Sequence, residues 1–237
     1  MTRIFYLKDI ELGNVEILEN TTREPISLIG KMAGICYGSD IENETGNYKR
    51  GLNCVKSGHY RTLEFPDVYM RLDGWSARVI REVYTHIGGL PTRLQASTRY
   101  INESYFDYFI PPKILDNPGA DDYYNDCMQT IRDTYWLLTE KCGISKEDAA
   151  NVLPLGMHTT VACKFNARTL MTMAEQRLCS RAYSEYRDLM KEIIKQLSKH
   201  SEQWETLCSM VMKCKCDKAG YCLEEKSCGR YEKKIDK

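Results

Sequence analysis

Long apolar runs are missing from this sequence: nowhere do about 18 consecutive apolar residues occur, the length a helix needs to cross a bilayer. No apolar signal core follows Met1-Thr2-Arg3-Ile4-Phe5, which runs on into charged residues, so a cytoplasmic setting and no membrane are expected. Net charge is missing as well. Lys+Arg and Asp+Glu stand at 33 each, leaving no global field to draw the chain to nucleic acid or an anionic surface. Any anion recognition must be local. The glycine loops of the Walker and dinucleotide types are absent, as are an HExxH helix and a Ser-His-Asp order, so kinase and hydrolase readings lack support. There is no internal repeat and no low-complexity linker.

What is present suits a folded globular protein. At 237 residues, 43% apolar and 28% charged, the chain can bury one sizeable core, or one core and a small appendage. Sixteen tyrosines against five phenylalanines suit wet pockets and subunit interfaces, because a tyrosine packs its ring while offering a hydroxyl. Eleven cysteines are unevenly spread: six stand singly through the body, and five crowd the end from Cys208. In a reducing compartment the scattered ones read as small buried hydrophobes.

Periodicity predicts an α+β fold rich in helix. The first thirty residues read as short strand and turn, with short helices at Met32–Cys36 and Tyr48–Ser57, the second ending at Gly58. Glu64–Leu72 alternates as a strand with Val68, Met70 and Leu72 on one face. A helix from about Gly74, carrying Ala77, Ile80 and Tyr84, stops at Gly88-Gly89. Tyr105 to Ile110 is aromatic-rich, and Asp116 to Asp122 reads as a loop. Tyr123, Cys127, Ile131, Tyr135 and Leu138 form the stripe of a long amphipathic helix, and Ser145-Lys146-Glu147-Asp148 has capping-box character. One long helix is expected from Ala167 to about Lys199.

The densest polar segment runs from Thr85 to Tyr100, with His86, Arg93, Gln95, Ser97 and Arg99 around Gly88-Gly89. Glycines let backbone N–H groups approach a ligand, and arginine forks match phosphate geometry, which fits an anionic nucleotide. A surface loop whose arginines pair with carboxylates is the plainer alternative. Arg177 falls on an apolar helical stripe, and a desolvated guanidinium needs a partner: Glu175 of a neighbouring chain, another carboxylate, a phosphate or a polarised carbonyl. His59 follows a helix-ending glycine and also reads as a turn residue.

These segments, in this order, resemble the flavin-dependent thymidylate synthase family. Ser57-Gly58-His59-Tyr60-Arg61-Thr62-Leu63-Glu64 is similar to its Gly-His-x-x-x-x-Glu turn, and Thr85-His86-Ile87 with Ser97-Thr98-Arg99-Tyr100 to its RHR and S-x-R-Y pattern. Val152-Leu153-Pro154 follows, then Asn166-Ala167-Arg168-Thr169-Leu170-Met171 and Arg177. Together they cover about residues 30 to 195. The resemblance implies a homotetramer whose sites are shared between subunits. It implies that dUMP becomes dTMP, methylenetetrahydrofolate giving the carbon and FAD, reduced by NADPH, the hydride, with no cysteine attacking the ring. It places Ser97, Arg99 and Arg177 on the pyrimidine deoxynucleotide monophosphate, with Arg177 as the catalytic residue. His59, Glu64, His86, Asn166 and Arg168 line the flavin site. Departures are visible: Thr85 and Ile87 replace two arginines, Gln95 an acid and Asn151 an arginine, and the spacer to Ser97 is longer. Arg61, near the flavin, and Arg93, near the nucleotide, are candidate replacements. These departures motivate two alternatives, a relative acting on another pyrimidine and a non-catalytic nucleotide-binding protein.

The resemblance stops before the tail. Residues 1–205 are expected as the catalytic domain and 206–237 as a Cys-rich appendage. Cys214, Cys216, Cys222 and Cys228 are spaced C-x-C-x5-C-x5-C, and four thiolates this close can surround zinc or hold an iron–sulfur cluster. A flexible, oxidisable tail is the alternative. Mixed charge from Asp217, Glu224 and Glu225 argues against nucleic acid there.

Overall fold

A computed structural model describes residues 13–86 and 92–233. Contacts divide the chain into two units. The larger gathers Val15–Leu72, Val79–Gln95 and the described chain from Val161 onward; the smaller gathers Asp73–Arg78 and Ala96–Thr160. A four-stranded sheet has the order β1 (Asn14–Ile17), β2 (Asp67–Ser76), β4 (His158–Asn166), β3 (Thr92–Gln95), and β3 runs antiparallel to β4 with Arg93 opposite Cys163. The α+β class expected from periodicity is what the chain adopts.

In the larger unit, α1 (Pro25–Cys36) and α2 (Glu44–Lys56) cross backbone to backbone. Glycines make this approach possible: a Cβ on Gly30 would stand 1.8 Å from the Asn47 carbonyl oxygen, and one on Gly51 1.9 Å from that of Ile26. The strand expectation for Val68, Met70 and Leu72 holds, since all three are buried. Behind them pack α7 (Ala167–Arg177), α8 (Ser184–His200) and α9 (Glu202–Val211), burying Leu170, Met173, Tyr186, Leu189, Ile193 and Trp204. The Trp204 indole N–H donates to the Thr22 carbonyl at 2.6 Å, and the Gln203 side chain accepts from the Ser27 N–H, tying α9 to the start of α1.

In the smaller unit, α5 (Pro118–Trp136) follows α4 (Pro112–Leu115) and continues as a π-helical turn over Leu137–Lys141. Its buried Met128 joins Phe106 and Met157 in a cluster against which Tyr108, Tyr124 and Ile131 pack, and its Tyr135 is buried as well. Arg132 lies 5.3 Å from the Phe106 ring centre and donates to the Phe106 carbonyl. The capping box at Ser145 is formed, its hydroxyl accepting from the Asp148 N–H at 3.1 Å to open α6 (Lys146–Ala149).

Five expectations need correction. The long helix after Ala167 is two helices, because the chain leaves helical geometry between Arg177 and Ser184; Arg187 donates to the carbonyls of Ser180 and Ala182 and so satisfies the connection. The loop at Asp116–Asp122 already contains the start of α5, where Asn117 accepts from Ala120 N–H at 3.2 Å and Pro118 sits in the first turn. The expected α5 stripe holds at Ile131 and Tyr135 but fails in its first turns, where Tyr123 and Cys127 are exposed and Met128 is buried instead. Gly74 belongs to β2 at φ +70°, with α3 (Ala77–Val83) beginning after it, and Gly88-Gly89 lie outside the described residues. Both short helices of the first sixty residues begin earlier than expected, at Pro25 and Glu44.

Candidate active site

Arg177 ends α7, one turn past the buried stripe Leu170–Met173–Ala174, which brings its side chain to the edge of the larger unit's core. There its Nη1 lies 3.0 Å from Glu82 Oε2, its Nε donates to His86 Nε2 at 3.3 Å, and its guanidinium stands 4.7 Å from the Tyr186 ring centre. The partner foreseen as a carboxylate is thus Glu82 of the same chain, while Glu175 pairs with Lys218 at 2.7 Å. His86 is 9% exposed and meets Tyr186 edge-on at 6.0 Å. Burial, helped by the Arg177 charge, pushes its imidazole down to about 4. At neutral pH it is therefore uncharged, with Nε2 free to accept from Arg177 and the proton on Nδ1. Two of five guanidinium N–H groups are engaged by these partners, which leaves donors for a ligand.

Arg93 stands beside this centre on β3. It donates to the Tyr84 carbonyl at 3.0 Å and covers the Tyr84 ring at 4.4 Å, while the Tyr84 hydroxyl donates to Gln95 Oε1 at 3.1 Å. Burial raises the Tyr84 phenol despite the Arg93 charge. Opposite Arg93, the Cys163 thiol is pushed up to about 12 by burial, so it stays protonated and is no nucleophile. Thr85 donates its hydroxyl to the Glu82 carbonyl at 2.7 Å, closing the end of α3, and Ile87 lies outside the described residues.

Ser97 and Arg99 belong to the smaller unit. Ser97 Oγ accepts from the Arg99 N–H at 3.4 Å, and Arg99 Nε reaches Glu147 at 3.1 Å with both side chains exposed. Arg99 and Arg177 thus sit in different units, each holding a carboxylate of its own. Asn151 donates to the Asp148 carbonyl at 2.9 Å and completes a turn.

The expected flavin residues divide into a turn and a helix start. Gly58, at φ +75°, releases the chain from α2 into the 3-10 turn Tyr60–Glu64, which exposes His59, Arg61 and Glu64. Arg168 is tied to that turn by lying 5.4 Å from the Tyr60 ring centre. Asn166 caps α7, its Oδ1 accepting from Thr169 N–H at 2.9 Å and Thr169 hydroxyl at 3.0 Å. His59 and Arg61 are exposed and Arg168 is half-buried beside the same turn, and Asn166 has a structural task. Glu82, Tyr84 and Tyr186 are site residues that sequence reasoning passed over. Glu82 had one signal, standing four residues before His86, the spacing of one helix face.

Past α8, α9 spans the expected domain boundary at 205/206, burying Leu207 and Cys208. Cys214 and Cys216 Sγ lie 3.5 Å apart, Cys222 is buried and Cys228 exposed. Among the described residues no three His, Cys, Asp or Glu side chains are already arranged to hold a metal ion, and no helix is long and apolar enough to cross a membrane.

The family model described as "Thymidylate synthase complementing protein" matches residues 17–201. The chain is 28% identical over 245 residues to a flavin-dependent thymidylate synthase of Nitratidesulfovibrio vulgaris, covering 92% of this chain and 94% of that relative. It is 27% identical over 209 residues to one of Clostridium tetani, covering 78% and 82%. In fold it is similar to Thymidylate Synthase X from Helicobacter pylori, solved with FAD and dUMP, at a TM-score of 0.64 and 20% identity over 82% of this chain and 98% of that one.

Proposed function

The chain belongs to the thymidylate synthase complementing family, whose relatives here are flavin-dependent thymidylate synthases, and on that footing we propose that it converts dUMP to dTMP by reductive methylation. The observation that carries the reading is the Arg177 centre: a guanidinium half-fixed by Glu82 and neutral His86, with N–H groups to spare. A preorganised cation of this kind holds a pyrimidine nucleotide and stabilises negative charge that develops on a ring oxygen. Arg99 and Ser97 would take the phosphate, and Arg93 and Gln95 are further candidates for holding the nucleotide. The exposed Arg99–Glu147 pair contributes about 0–1 kcal/mol, against about 1.5–3 kcal/mol for a charge-assisted hydrogen bond to phosphate, so phosphate displaces the carboxylate. Protonated Cys163 agrees with a reaction that uses no cysteine nucleophile.

FAD belongs to this reading, and when bound it supplies the hydride chemistry. His59, Arg61 and Arg168 would hold its diphosphate, with Glu64, His86 and Asn166 alongside. NADPH as reductant, methylenetetrahydrofolate as carbon donor, a homotetramer and a cytoplasmic setting complete the proposal. Exposed Leu94, Tyr100 and Tyr105, each more than 70% accessible in the single chain, support burial against further subunits.

Tritium release from 5-labelled dUMP by FAD-loaded protein tests the proposal. Arg177→Ala is expected to lower kcat/KM by at least about tenfold, the loss of one charge-assisted contact. Protein that stays colourless and cannot be loaded with FAD would overturn the flavin reading. Thr85, a helix-end residue where the family has arginine, favours one second reading, a nucleotide-binding relative without flavin turnover. It gains if dUMP raises the melting temperature and FAD does not.

A further inference from the structure

Beyond α9 the chain is fastened by polar contacts, among them Lys218 with Glu175 and Arg181 with Glu224. The five-residue α10 (Lys215–Ala219) is followed by turns at Gly220 and Gly229, φ +77° and +91°, and by the isolated bridge between Cys222 and Lys233. Among its described residues Leu223 is 53% exposed, yet Cys214 and Cys222 are buried at 2% and 8%. A segment so poor in apolar side chains is ordinarily fastened by a metal or by disulfides, and all of these cysteines are free thiols.

The four tail thiols border one cavity of about 370 Å³, and a fifth borders it with them. That fifth is Cys179, from the connection between α7 and α8, a residue that spacing alone leaves unconnected to the tail. We propose that this cavity is a thiolate metal site, filled by zinc or an iron–sulfur cluster, in which Cys179 joins ligands from Cys214, Cys216, Cys222 and Cys228 and so clamps the tail to the end of α7.

Three features support it. Cys214 and Cys216 Sγ stand 3.5 Å apart, close to the edge of a thiolate tetrahedron, about 3.8 Å for Zn–S bonds of about 2.3 Å. Six lysines and arginines border the cavity against two glutamates, Glu175 and Glu224. Some are paired, Arg181 with Glu224 and Arg230 with Asp217, while Arg187 donates to the carbonyls of Ser180 and Ala182, and its charge complements a dianionic tetrathiolate centre. Finally, all five thiols border this one cavity, and on binding each ligating thiol gives its proton to solvent. No electron transfer is involved.

The test uses the full chain, purified under reductant and without chelator, for elemental analysis and acid-labile sulfide. About one zinc per chain without sulfide identifies the ion, and iron with matching sulfide identifies a cluster; both support the site. Cys179→Ser and Cys222→Ser are expected to lose most of the metal, while Cys36→Ser and Cys127→Ser, exposed on α1 and α5, keep it. Should a variant fail to fold, alkylation of the wild-type chain decides: added zinc protects Cys179 and the tail thiols, and leaves Cys36, Cys127 and Cys142 reactive. Metal-free protein that gains no protection from zinc, or metal retained in full by Cys179→Ser, overturns the proposal.

Discussion

Lowering the pH from 7 to 5 should cost the whole fold stability through His86, which stays uncharged while the chain is folded. Its imidazole is held down to about 4, against about 6.5 when exposed, by burial and by the Arg177 guanidinium 3.3 Å away. The sign follows from proton binding. Between the two values the unfolded chain carries a proton that the folded chain refuses, so stability rises with pH there. The contribution is fully present above about 6.5 and is lost as the pH falls toward 4. A shift of this size corresponds to about 3 kcal/mol in all, of which about 2 kcal/mol disappears between pH 7 and pH 5. Urea unfolding of the wild type and of His86→Gln at both pH values measures it as a difference of differences, which cancels the other titrating groups. The chain has only four histidines, so NMR titration can assign each imidazole directly. If His86 titrates near 6.5, or if the two proteins lose equal stability, it is not a buried neutral acceptor and the account of how Arg177 is held fails.

Two further perturbations test the scaffold. Gly51→Ala would drive a methyl to within 1.9 Å of the Ile26 carbonyl, so the α1–α2 crossing must open; a loss of several kcal/mol and a lowered Tm are expected, whereas Gly38→Ala meets nothing within 4 Å and costs only the strain of its left-handed backbone. An unchanged Gly51→Ala Tm would refute the close approach. Asn166→Ala should cost about 1 kcal/mol in urea unfolding by uncapping α7, and Asn166→Asp should restore it; equal stability of all three would leave Asn166 no structural task.

Much of the fold was legible because burial imposes period. Val68, Met70 and Leu72 alternate since one face of β2 is covered, and Ser145 announces a helix because its hydroxyl meets the Asp148 N–H locally. The break between α7 and α8 was not legible, since no proline or glycine occurs from Leu178 to Tyr183 and the apolar spacing persists across it. Its carbonyls are satisfied by Arg187, a partner no local rule names. The α5 face was misjudged for a related reason: exposed Tyr123 is as apolar to a sequence pattern as buried Tyr135.

The sequence by itself determined the family, the helix-rich α+β class, and the arginines and histidines from which a nucleotide site is made, because each depends on residue type and on order along the chain. Only the tertiary structure decided that Arg177 answers to Glu82 and His86, and that Cys179 borders the same cavity as the tail thiols. Those pairings join residues far apart in the chain, and what selects them is the packing of α3, α7 and α8 and the return of the chain beyond α9, which no local spacing records.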